Sequence, residues 1–254
     1  MTTLPTYDAD RLAALLAILP DVDSVELKLS VPDTDHRPVL RSLAIDPLDA
    51  VVRQVVFVET RDLRLFESGL VVRARRTQRK PADATVKLRP MLPGDVPEGL
   101  RALAGFKVEV DASPSGYTCS CSLTGEVPDK RARALMSGER PIADVLDDDQ
   151  RGVLLGRLPE GVGLDDLVVL GPLTLLKAKF APAGSTRRMV AELWFLPDGS
   201  RILELSTKCT PAEAFQAAAE TKVFLAGHGL DLGAPQEMKT RSALVALAAA
   251  LEKE

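Results

Sequence analysis

Leu70-Val71-Val72-Arg73-Ala74-Arg75-Arg76 and, one turn later, Thr85-Val86-Lys87-Leu88-Arg89 decide the fold. Side chains alternate across a β-strand, so residues two apart share a face. In each stretch one face is apolar (Val72 and Ala74, Val86 and Leu88) and the other basic (Arg73 and Arg75, Lys87 and Arg89). The turn between them carries Lys80 and Pro81. Four like charges on adjacent strands repel one another unless an anion or an acidic partner lies among them.

The same alternation recurs along the chain. Glu26 and Lys28 are backed by Val25, Leu27 and Leu29. Lys107, Glu109 and Asp111 alternate with Phe106, Val108 and Val110. Arg188 shares parity with Glu192, and Glu204 with Lys208. Strands are predicted over residues 24–31, 51–59, 70–76, 85–89, 106–112, 117–123, 167–180, 188–196 and 201–209. Helices are predicted over residues 8–19, 62–68, from Pro211 to Gly227 or Gly229, and over 242–251. Thr210, Pro211 and Glu213 form the start signal of the third of these. Residues 38–45 fit either helix or strand. Residues 129–166 change character and read as a helical insertion or subdomain in an otherwise single domain over 1–254. Residues 1–20 read as an N-terminal helical extension.

Two architectures fit this pattern. One is a sheet with a wet face and a packed face. The other is a barrel with its charged face inside and helices over its outside. The crowding of like charge on neighbouring strands and the apolar helices between strands favour the second. The expected fold is therefore α+β: an antiparallel eight-stranded β-barrel, or tunnel, with flanking helices and a helical insertion. Such an interior is just wide enough for side chains or one small ligand. Lined with arginine and lysine, it would hold an oligo-anion through charge-assisted hydrogen bonds. Carboxylates among them would attract a hard divalent cation.

Composition narrows the function classes. The net charge is −4, which calls for neither nucleic acid nor an anionic membrane surface, so an anion site must come from local clustering. Three cysteines, Cys119, Cys121 and Cys209, make a disulfide framework improbable and point to a reducing, cytoplasmic setting. The first ten residues lack the basic segment of a signal peptide, and no apolar stretch is long enough to span a bilayer. Cys119 and Cys121 lack the second pair that a structural zinc site needs, so packing is the expected role. His36 and His228 are the only histidines, which argues against a Ser-His-acid triad. No Gly-x-x-x-x-Gly-Lys-Ser/Thr loop is present, so phosphate is not cradled in that way.

In order, these segments resemble the CYTH (triphosphate tunnel) superfamily. Its opening Glu-x-Glu-x-Lys is matched by Ser24-Val25-Glu26-Leu27-Lys28. Its strand ending in Asp-Thr, short helix, glycine and Leu-Arg-x-Arg are matched by Phe57-Val58-Glu59-Thr60, Asp62-Leu63, Gly69 and Val72-Arg73-Ala74-Arg75. Thr85-Val86-Lys87 matches its Thr-x-Lys. Glu204-Leu205-Ser206-Thr207-Lys208 and Met238-Lys239-Thr240-Arg241 match its late Glu-x-Glu-x-Lys and Ser-Lys-x-Arg elements. The resemblance runs from Ser24 to Arg241 and leaves out the insertion.

The resemblance implies a metal-dependent hydrolase of inorganic triphosphate, a nucleoside triphosphate or thiamine triphosphate, or an adenylate cyclase of that type. It implies Lys28, Arg73, Arg75, Lys87, Arg89, Arg188, Lys208, Lys239 and Arg241 as substrate-binding residues. For magnesium or manganese it implies Glu26 and Glu204, with Glu109, Asp111 and Glu192 as further ligands. No residue is singled out as catalytic. Ser24 and Ser206 stand where the family has metal-binding glutamates, and a lower ligand charge weakens divalent-cation binding. That departure raises the alternative of a degenerate module that binds a triphosphate or other polyanion without turning it over. The expected partner is a small polyanion, with no nucleic acid and no membrane; a homodimer is compatible with the chain.

Overall fold

The structure is a computed structural model that describes residues 8–252. The first seven residues of the expected N-terminal extension lie outside the described residues. The remainder of that extension forms α1 (Ala9–Ile18), capped by Asp8, whose carboxylate accepts from the Arg11 amide at 2.8 Å.

Nine strands close into one barrel: β1 (Ser24–Val31), β2 (Val51–Glu59), β3 (Leu70–Thr77), β4 (Ala82–Leu88), β5 (Phe106–Ser113), β6 (Gly116–Val127), β7 (Val168–Phe180), β8 (Met189–Phe195) and β9 (Arg201–Cys209). Around the barrel the order is β1-β5-β6-β4-β3-β2-β7-β8-β9, with β9 pairing back onto β1. This corrects the expectation of eight antiparallel strands. A ring with an odd number of strands cannot alternate direction all the way round, so one neighbouring pair must run parallel. That pair is β1 and β5, with Glu26 opposite Asp111. The ambiguous stretch near residue 40 is helical, α2 (His36–Ser42), and lies outside the ring.

The alternation predicted from sequence sorts the side chains. Val25, Val72, Ala74, Val86, Val108, Val110, Cys119 and Cys121 point outward into one apolar cluster. The cluster is covered by α1 through Leu15 and by the insertion through Ala132, Leu135 and Leu154. Residues 129–166, the expected insertion, contain α4 (Asp129–Met136) and α5 (Asp148–Leu155). The three cysteines are buried and free, and burial raises each thiol pKa, so they pack rather than react. On another side, α2 and α6 (Ala214–Gly227) bring Val39 and Leu225 onto Leu29, Leu203 and Leu205. With its outer face thus covered, the barrel leaves its charged face only the interior.

A third apolar cluster lies inside. Here α7 (Lys239–Leu251) sets Ala243, Leu244 and Leu247 against Val55, Phe57, Leu173, Leu175 and Trp194, filling one end of the barrel. The helix begins at Lys239, three residues before the sequence reading placed it. No side chain caps its N-terminus; Lys239 itself is held by carboxylates of the barrel wall. Among the described residues no helix is long and apolar enough to cross a membrane.

Glu59, 2% exposed, is a fixed point of the rim. Its carboxylate accepts from the amides of Thr60, Leu65 and Phe66, each at 2.8 Å, and so holds the short helix α3 (Arg64–Glu67) against the end of β2. Gln150 of α5, fully buried, fixes the insertion. Its amide donates to the Ala84 carbonyl at 2.8 Å and the Leu123 carbonyl at 3.2 Å, on β4 and β6. Replacing Gln150 by Ala strands both carbonyls and leaves a hole. A loss of about 3 kcal/mol is expected in urea unfolding, with earlier proteolytic cleavage within residues 129–166.

Candidate functional site

The barrel encloses a cavity of about 1490 Å³, lined among others by twelve lysines and arginines and seven carboxylates. The excess of cations is notable because the chain as a whole has net charge −4. The cluster on β3 and β4 is where the sequence placed it. Gly69, immediately before β3, is required there. Its φ is +81°, and a Cβ would meet the Arg89 carbonyl oxygen at 2.6 Å. This close approach seats Arg89 at the cavity wall, with its amide donating to the Gly69 carbonyl at 2.7 Å.

Across the ladder Arg73 faces Thr85, Val71 faces Lys87, and Arg75 faces Asp83. Arg75 is taken by Asp83 at 2.7 Å. Lys87 and Arg89 converge on Asp111 at 3.6 and 3.5 Å, and Lys28 reaches the same carboxylate at 2.8 Å. Burial opposes the charge on Asp111, yet these three cations hold its carboxyl well below the usual range. Arg73 is different. It has no hydrogen bond or ion pair among the described residues, and its Nε is buried without an acceptor. Burial, with Arg75 alongside, lowers the pKa of its guanidinium. An arginine in that position is a charge awaiting an anion.

The opposite wall is built around Glu192 and Glu204, neighbours across β8 and β9. Lys239 of α7 donates to both, at 2.7 and 2.5 Å, with its ammonium 5.4 Å from the centre of the Trp194 ring. Glu192 also accepts from Lys177 at 2.9 Å and Arg53 at 3.2 Å. Burial again opposes the charge, and Lys239 and Lys177 draw the Glu192 carboxyl well down. Glu26 lies 3.3 Å from Lys28, and Glu109 pairs with Lys208 and accepts from the Ser24 hydroxyl at 3.2 Å.

Of the substrate-binding residues implied by the resemblance, Lys28, Arg73, Arg75, Lys87, Arg89, Lys208 and Lys239 line one cavity. Arg188 and Arg241 do not: both are exposed, Arg188 just before β8 and Arg241 on the solvent side of α7. Parity aligns Arg188 with Glu192, but the strand begins only at Met189, and the helix period turns Arg241 away from Lys239. Sequence reasoning missed Arg53, Lys177 and Lys179 as cavity residues. Lys177-Ala178-Lys179 carries the same two-residue spacing of cations as β3 and was legible on that ground. Arg53 is a lone charge in a valine-rich strand and gave no such signal. Also missed was the small polar wall of β6, where Thr118, Ser122 and Thr124 line the cavity between the cationic strands and leave it room.

The carboxylates do not fit a resident divalent cation. Glu26, Glu109, Asp111, Glu192 and Glu204 all line the cavity, but no three acidic, histidine or cysteine side chains among the described residues are grouped to hold a metal. Each is engaged by at least one lysine or arginine: Lys28 bridges Glu26 and Asp111, and Lys239 bridges Glu192 and Glu204.

No known protein-family profile matches the chain, and no curated protein matches it. Solved structures do. A proposed adenylate cyclase from Bacillus halodurans aligns with a TM-score of 0.59 at 13% identity, over 87% of this chain and 97% of the other. A proposed adenylyl cyclase from Hippeastrum, described as having a dominant triphosphatase activity, aligns with a TM-score of 0.58 at 16% identity, over 85% and 94%. This chain thus shares the fold of adenylate cyclase-like proteins across nearly their whole length.

The pairing sets a pH dependence. Asp111 and Glu192 have depressed folded pKa values, so their stabilisation is present above the unfolded carboxylate range, about 4, and is lost as pH falls below it. Thermal unfolding should show a constant midpoint from about pH 5 to 8 and a decline below about pH 4. Asp111→Asn should lose about 3 kcal/mol at pH 7, because it leaves three enclosed cations without their shared counter-charge. The gap to the unaltered protein should close as the pH falls below about 4.

Proposed function

We propose that this chain is a CYTH-type barrel that captures a compact polyanion of the triphosphate class in its cavity. The observation that carries the reading is Arg73, enclosed and without an ion pair or hydrogen bond among the described residues, beside Arg75, Lys87 and Arg89 of the adjoining strand positions. Free energy spent on assembling such a cluster is recovered when phosphate oxygens accept from it. Lys107 and Lys179, exposed near the mouth and without ion-pair partners among the described residues, extend the positive surface outward. Capture by the barrel wall needs no glycine-rich loop, in keeping with the lack of one.

A second reading is hydrolysis of the bound triphosphate. It is supported by the likeness to the Hippeastrum protein, whose dominant activity is of that kind. In this reading Arg73, Lys87 and Arg89 would take up charge developing on the phosphoryl oxygens.

Isothermal titration with tripolyphosphate, ATP and thiamine triphosphate, each followed by a phosphate-release assay, separates the two. Saturable binding without release identifies a capture module; release that scales with enzyme identifies a hydrolase. Arg73→Ala should weaken tripolyphosphate binding about thirtyfold, roughly 2 kcal/mol, with the circular dichroism spectrum unchanged. Equal binding by the variant and the unaltered protein would remove the support for this pocket.

A further inference from the structure

The wall formed by β8, β9 and α7 departs from what a metal-dependent site requires, and the departure is specific. Ser24 and Ser206 replace two carboxylates in the motifs of β1 and β9. The structure puts both on the interior parity: Ser24 donates to Glu109, and Ser206 lines the cavity opposite Lys28. Two cross-strand pairs of carboxylates remain, Glu26 with Asp111 and Glu192 with Glu204, and each pair already shares one lysine: Lys28 in the first, Lys239 in the second. Lys239 Nζ lies 2.7 Å from Glu192 Oε2 and 2.5 Å from Glu204 Oε1.

This ammonium is not a wandering surface charge. Its residue opens α7, and Ala243, Leu244 and Leu247 of that helix are buried in the apolar fill of the barrel. The helix therefore fixes the lysine backbone. Trp194, 4% exposed, lies beneath the ammonium on the third side. Lys177 and Arg53 complete the neutralisation of Glu192, leaving it no free charge for a second cation.

We propose that the Lys239 ammonium is a built-in cation standing where a divalent ion would otherwise bridge Glu192 and Glu204, so that the cavity takes its polyanion without a divalent metal. The second half rests on the polyanion reading above; the first half does not. A fixed ammonium supplies positive charge beside the anion, as a bound metal does, but offers no open coordination positions. The cavity would then respond to a polyanion by its own lysines and arginines alone.

The test uses the full chain stripped with EDTA. Free Mn2+ is followed by electron paramagnetic resonance with no anion present. The unaltered protein should leave the Mn2+ signal undiminished. Lys239→Gln, which removes the charge and keeps a polar side chain, should bind Mn2+ at least about tenfold more tightly, because Glu204 is freed of its ion pair and Glu192 of one of its three cations. Separately, tripolyphosphate affinity should agree within about threefold between EDTA and excess Mg2+. Mn2+ uptake by the unaltered protein as tight as that of Lys239→Gln overturns the built-in cation. Tripolyphosphate binding that appears only with Mg2+ overturns metal-free capture while upholding the polyanion reading. Absence of binding in both conditions sinks the polyanion reading and leaves the Mn2+ titration to decide Lys239. If Lys239→Gln proves unfolded by circular dichroism, the Mn2+ titration of the unaltered protein decides by itself.

Discussion

Enclosed positive charge is the constraint around which this molecule is arranged. A closed sheet wrapped in helices gives its charged face no access to bulk water except through the mouth. Bringing a lysine or arginine there costs solvation that only a nearby anion restores. Asp111 meets that cost for β1 and β4 at once, accepting from Lys28 and lying within ion-pair distance of Lys87 and Arg89. Glu192 does the same across the cavity for Arg53, Lys177 and Lys239. Two acidic centres on opposite walls thus hold six cations from five elements in place, and Arg73 is the enclosed guanidinium that has no ion pair or hydrogen bond among the described residues.

The surrounding architecture serves this balance. Outward-facing valines and alanines need cover, and the insertion and α1 provide it for β3, β4, β5 and β6, while α2 and α6 provide it on the far side. Helix α7 both fills the interior at one end and delivers a lysine to two carboxylates. Its position couples the apolar packing of the barrel end to the electrostatics of the site, since a shift of that helix would move the ammonium with it. The adenylate cyclase-like structures that share this fold differ from it at more than four residues in five, which leaves the chemistry of the cavity to be read from its own side chains.

Much of this was legible in the order of residues. Alternation of valine with arginine or lysine two residues apart fixes which side chains share a face, whatever the strand later pairs with. That is why Lys28, Arg73, Arg75, Lys87, Arg89 and Lys208 line the cavity; Arg188, one residue before the regular strand, does not, and Lys239, on a helix, was pointed to by the resemblance and not by alternation. Lys177 and Lys179 carried the same signal and could have been included. The lead into α6 was equally plain, because Thr210, Pro211 and Glu213 act locally, though they form a single 3-10 turn and α6 itself follows at Ala214.

Tertiary structure alone decided the rest. That all nine strand segments join one ring, with a single parallel contact between β1 and β5, follows from ring closure, a property of no individual segment. Which carboxylate meets which cation depends on residues distant in sequence, as Lys239 with Glu192 and Glu204, so spacing along the chain could not reveal it. The sequence determined the faces, since pleat and helix period are local geometry. Only the closed barrel determined the partners, since electrostatic pairing depends on distance in space.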